Sequence, residues 1–88
     1  MVGVIFRGSK ATPEQYEQIR LALDTSQNPP QGRLWHAAGI HDGVYVMEVW
    51  ESEEAAQRFF DEHLAPAMGQ ADMVAERSIF PIIGTIHP

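Results

Sequence analysis

The 88-residue sequence predicts a single α+β domain over residues 1–88, with strand and helix order β-α-β-β-α-β. Three observations carry that prediction. Short apolar runs rich in β-branched residues alternate with stretches whose apolar residues recur at helical spacing. An Asp-Gly pair, Asp42-Gly43, sits between two adjacent β-rich runs and reads as a hairpin. Each helical stretch is preceded by a residue suited to cap it.

The first run, Val2 to Gly8, is bounded by glycine and reads as a strand. Thr12-Pro13-Glu14-Gln15 then opens a helix: Thr12 caps, Pro13 suits the first turn and Gln15 completes a capping box. Tyr16, Ile19, Ala22 and Leu23 form its apolar stripe, and the segment Asn28-Pro29-Pro30-Gln31-Gly32 ends it in a loop. Arg33 to Ile40 and Val44 to Glu51 are the two hairpin strands. Ser52 caps a second helix whose first turn carries Glu53 and Glu54 at its positive end. Its stripe is Ala56, Phe59, Phe60, His63 and Leu64, and Pro66 predicts its end near Leu64 or Ala65. Val74 to Ile83 is the last strand, and Gly84 to Pro88 is a tail.

Right-handed connections turn this order into one four-stranded antiparallel sheet with both helices on the same face. A set drawn from Val2, Val4, Phe6, Trp35, Val44, Val46 and Ile79 is then expected on the other face, where it needs a cover. A second copy of the chain is the expected cover, giving a homodimer. Size argues the same way. A chain of 88 residues buries only about 60–65% of its unfolded surface. Small folds therefore lean on disulfides, metals or self-association. Cysteine is absent, which removes disulfides and thiolate metal sites.

Composition narrows the partners. Twelve acidic against six basic residues give a net charge of −6, so the basic footprint that nucleic-acid binding requires is missing. The longest apolar run, around Ile79–Ile83, is far too short to span a bilayer. No basic segment precedes the apolar N-terminal stretch, so a cytoplasmic location is expected, with a small molecule as the ligand.

The stretch Val46-Met47-Glu48-Val49-Trp50-Glu51-Ser52-Glu53-Glu54-Ala55, followed by Phe59-Phe60 and His63-Leu64-Ala65-Pro66-Ala67, resembles the dimeric α/β-barrel superfamily of ferredoxin-like fold. That group includes the antibiotic-biosynthesis monooxygenases. The hairpin stretch Leu34-Trp35-His36-Ala37-Ala38-Gly39 and the ending Ile86-His87-Pro88 resemble its uncharacterised actinobacterial members. The resemblance covers essentially the whole chain. It implies a cleft between sheet and helices in each monomer. It also implies chemistry drawn from a varied set: oxygenation of polycyclic phenols without metal or flavin, haem degradation or binding, or lactone isomerisation. At the positions where haem-degrading members carry a tryptophan and a histidine, this chain has Phe59 and Gly69, which points away from haem.

The residues give the candidate site. His36 lies mid-strand among apolar neighbours, poised near neutral pH as a general base or packed as an interior histidine. His63 lies on the second helix's stripe, aimed at the sheet as a pocket acid or base, or placed to offset the helix dipole. Glu48, on one strand face between Val46 and Trp50, needs a partner. A three-residue hairpin turn pairs Ile40 with Val44 and sets His36 opposite Glu48, whereas a two-residue turn separates them onto opposite faces. Arg7 and Arg77 are alternative partners for Glu48. Trp50, Phe59, Phe60 and Met68 are the expected apolar walls for an aromatic ligand. A metal held by His36, His63 and Glu48 is a minor option, since no HxH or HExxH spacing supports it. His41, Asp42 and Tyr45 belong to the hairpin tip, and His87 to the tail.

The expected function is a cofactor-independent tailoring enzyme, monooxygenase-like or isomerase-like, acting on a small aromatic or polyketide-like molecule. His36, His63 and Glu48 are its candidate catalytic residues. The alternatives are a non-catalytic binder or accessory dimeric domain and, less favoured, a haem binder.

Overall fold

The computed structural model describes residues 1–86. His87 and Pro88, the last two residues of the expected tail, lie outside the described residues. Strands β1 (Val2–Gly8), β2 (Arg33–Ile40), β3 (Val44–Trp50) and β4 (Glu76–Pro81) form one sheet in the order β2-β3-β1-β4. Every pairing is antiparallel. Helix α1 (Pro13–Leu23) and a long helical segment packed beside it cover one face. The predicted βαββαβ fold is the fold observed.

Helix α1 starts as its sequence dictates. The Thr12 hydroxyl accepts the Gln15 N–H, and the Gln15 side chain accepts the Thr12 N–H. The Gln15 amide also donates to the carbonyls of Ala71 and Asp72, so one side chain joins the start of one helix to the end of another. Asp24 closes α1 in the left-handed conformation, four residues before Asn28, and Ala22 faces solvent.

The second helical segment departs from expectation. It runs through α2 (Glu53–Phe59), a π turn (Phe60–Leu64) and α3 (Ala65–Gln70), passing Pro66 instead of ending at it. Proline has no N–H to give, and its ring crowds the carbonyl four residues back. The π turn accommodates both facts: Ala65 N–H bonds Phe60 five residues back, and the ladder widens just ahead of the proline. Strand β4 is shorter than Val74–Ile83 at both ends, beginning at Glu76 and ending at Pro81.

The strand faces also need correction. Val4, Phe6, Val44, Val46 and Trp50 are buried in the core, and Val2 and Ile79 pack against it. Of the set expected on the uncovered face, only Trp35 is there. Its neighbours across that outer face, by ladder register and alternation, include Ile5, Met47, Val49 and Phe80. Trp35, Met47 and Phe80 are 52%, 41% and 41% exposed. Both faces of the sheet are apolar, and alternation alone does not say which one the helices choose.

Candidate active site

The site begins at the hairpin. His41, Asp42 and Gly43 make a three-residue turn, with Asp42 at φ 49° and Gly43 at φ 116°. Ile40 therefore pairs with Val44 and His36 with Glu48, both on the helix-covered face. His36 Nδ1 lies 2.7 Å from Glu48 Oε2.

A second irregularity completes the site. Between Arg33 and Trp35 the β2–β3 register slips by one, so Arg33 pairs with Trp50 while Trp35 pairs with Val49. In a regular strand Arg33 and His36, three residues apart, point to opposite faces. The bulge cancels that parity and turns both toward Glu48. Arg33 Nη1 stands 3.4 Å from Glu48 Oε2, the oxygen that His36 also contacts. The other oxygen, Oε1, accepts the Trp50 indole N–H at 2.9 Å. Glu48 is 6% exposed, and these partners are what make its burial tolerable. The cation is Arg33, and neither expected arginine plays that part. Arg7 lies against the Tyr45 ring and Arg77 against Phe60.

From α1, the Tyr16 hydroxyl reaches His36 Nε2 at 2.9 Å. A carboxylate only accepts, so Nδ1 carries a proton; in the neutral imidazole Nε2 then accepts and the Tyr16 hydroxyl donates. The result is a directed chain, Tyr16 to His36 to Glu48. Burial pushes the Tyr16 phenol above its ordinary pKa, against the opposing pull of Arg20 and Arg33. Tyr16 therefore stays a neutral phenol at physiological pH.

These groups open onto a cleft between α1, the second helical segment and the sheet. Tyr16, Ile19, Arg20 and Leu23 line it from one face of α1, at the i, i+3, i+4, i+7 spacing of a helical stripe. Phe59, Leu64 and Met68 close the opposite side, and His36, Glu48 and Arg33 lie on the floor.

The expected site residues divide. His36, Glu48, Phe59 and Met68 meet at the cleft. Trp50 is 1% exposed and stands behind the floor, touching the site through Glu48. Phe60 turns to the core side, stacked on Phe6 under the Arg77 guanidinium. His63 does not join His36: its side chain is 58% exposed, beside Glu62, on the wall of an adjoining depression that shares Leu23, Thr25 and Phe59 with the cleft. His63 keeps the Phe59 neighbour that its i, i+4 spacing predicts, with 5.6 Å between ring centroids, but on the solvent side of that ring. No cluster of three metal-ligating side chains forms among the described residues. His41 and Asp42 are exposed at the hairpin tip, and Tyr45 is half-buried. Tyr16 and Arg33 are the residues that sequence reading passed over. Tyr16 looked like plain helix stripe, and Arg33 is brought in by a bulge that no residue announces.

Neither a protein-family model nor the sequence of a curated protein matches the chain. Solved structures do. A variant of SnoaB, a cofactor-independent oxygenase from Streptomyces nogalater, matches with TM-score 0.67 at 17% identity, covering 97% of this chain and 94% of that one. An antibiotic-biosynthesis monooxygenase matches with TM-score 0.69 at 13% identity, over 96% and 100% of the two chains. MhuD with two manganese protoporphyrin IX molecules per active site matches with TM-score 0.68 at 15% identity, over the full length of both. The chain thus has the ferredoxin-like fold of the antibiotic-biosynthesis monooxygenase proteins. At these identities the likeness defines the fold, and the chemistry has to come from the side chains.

Proposed function

We propose that the cleft is the active site of a cofactor-independent tailoring enzyme, monooxygenase-like or isomerase-like, for a small aromatic or polyketide-like phenol. The observation that carries this reading is the chain Tyr16–His36–Glu48 ending at an apolar cleft. Its parts match a general base held by an orienting carboxylate. Glu48 fixes the imidazole tautomer and stabilises the imidazolium that forms when His36 takes a proton. Tyr16 caps Nε2, so a substrate hydroxyl either displaces the tyrosine or passes its proton through it. The resulting phenolate is electron-rich enough to reduce dioxygen itself, or it rearranges. Fold neighbours such as SnoaB support the oxygenase branch by analogy.

Oxygen uptake and product formation with a panel of polycyclic phenols test the proposal. His36→Gln and Glu48→Gln are expected to lower kcat by about 10²-fold or more, the usual scale for a lost acid–base group. His63→Gln, in the adjoining depression and outside the Tyr16–His36–Glu48 chain, is expected to keep full activity. Undiminished turnover in His36→Gln would refute the assignment.

One observation favours a second reading, a binder that leaves its ligand unchanged. Both oxygens of Glu48 are engaged with residues of the chain itself, as in a purely structural network. A ligand recovered unaltered after prolonged incubation selects that reading. Under either reading we propose a homodimer, with a second copy on the outer sheet face. That face exposes Trp35, Met47 and Phe80 on a chain too small to leave it bare at no cost.

A further inference from the structure

The cleft's charge does not follow that of the whole chain. The protein has twice as many acidic as basic residues, yet Arg20, Arg33 and Glu48 are the charged residues that line the cleft. The bulge in β2 spends ladder regularity to bring Arg33 there. Arg33 offsets the charge of Glu48, but through a single nitrogen and by the longest of that carboxylate's three contacts. That carboxylate already holds two shorter donors, His36 Nδ1 at 2.7 Å and Trp50 Nε1 at 2.9 Å, against 3.4 Å for Arg33. Among the described residues, only Nη1 of Arg33 has a protein acceptor. The side chain is 12% exposed, and none of its nitrogens is both buried and unpaired, so its remaining N–H groups reach open space. Beyond its one contact with Glu48, the guanidinium keeps a planar donor edge able to serve a second acceptor.

Resting on the reading of this cleft as the ligand site, we infer that its ligand is an aromatic molecule bearing an ionised oxygen, a carboxylate above all, seated on Arg33. The apolar walls take the ring, and the guanidinium takes the anionic edge in a forked contact. Arg20, on the α1 wall, is already paired with Glu17, which leaves Arg33 as the anchoring cation. Arg33 and His36 touch the same Glu48 oxygen, so the anchored group is set beside the Tyr16–His36 pair. Arg33 is thus a specificity residue that orients the ring for the base.

Titration calorimetry on the full chain with 2-naphthoate and its neutral counterpart 2-naphthalenemethanol tests this. Naphthoate is expected to bind at least tenfold more tightly. That advantage is expected to vanish in Arg33→Met and to survive, reduced, in Arg33→Lys, which keeps the charge without the fork. Equal affinities in the wild type, no binding of either probe, or a preference intact in Arg33→Met each overturn the inference. The wild-type comparison and Arg33→Lys decide the matter if Arg33→Met fails to fold. A protein that prefers naphthoate but turns over no phenol sinks the enzyme reading and leaves the anchor standing.

Discussion

At the scale of single residues, Glu48 organises the site because its two oxygens serve different neighbours, Trp50 on one side and His36 with Arg33 on the other. A carboxylate among apolar strand residues was legible in the sequence as a group in need of a partner. Which partner was not, since that depends on strand register and on a bulge. Tyr16 carries its own test. Its folded pKa lies above its unfolded value because burial disfavours the phenolate. The folded state therefore holds the proton longer. Stability is intact below about pH 10, the ordinary tyrosine value, and falls as pH rises through the folded value. Tyr16→Phe removes this dependence and one hydrogen bond, which nets about 1 kcal/mol. Urea unfolding across pH 8–11 is expected to show the variant weaker at pH 8 and flatter above pH 10. Parallel curves would refute the assignment.

At the scale of elements, signals local to the chain could be read and phase shifts could not. The capping box at Thr12, the Ser52 cap and the Asp-Gly hairpin each use residues within a few positions, and each forms where the sequence places it, though the length of the hairpin turn was open between two and three residues. The β2 bulge and the π turn each insert one residue into a periodic element, which reverses or rotates every side chain beyond it. The bulge brings Arg33 to the site with no residue to announce it. The hairpin turn sets the site's register and is sharply constrained: a Cβ on Gly43 would lie 2.1 Å from the Gly8 carbonyl oxygen. Gly43→Ala is thus expected to destabilise the chain by about 2 kcal/mol or more, through backbone strain plus a clash. Chemical denaturation measures this. A loss under about 0.5 kcal/mol, the range of neutral surface changes, would mean the turn is free to rebuild.

At the scale of the whole molecule, two apolar faces share one thin sheet, and the helices cover the face that carries Glu48 and Trp50. No helix among the described residues is long and apolar enough to cross a membrane. The proposed dimer makes the outer face a second core, and Met47 on β3, an inner strand of the sheet, lies well inside it. Met47 is 41% exposed in the single chain, so Met47→Lys leaves the monomer's own packing intact. It is expected to shift the sedimenting species from dimer to monomer. A wild-type chain that sediments as a monomer at micromolar concentration would remove the dimer from the proposal.

The bond between Trp50 and Glu48 also makes the site its own optical probe. The indole is sealed from water, and its N–H rests on the carboxylate that supports His36. A proton gained by the imidazole, or an anion brought to Arg33, alters the field across that indole and therefore its emission. The chain's other tryptophan, Trp35, lies exposed on the far face of the sheet, where phenylalanine can replace it. The fluorescence that remains reports occupancy of the cleft without any label.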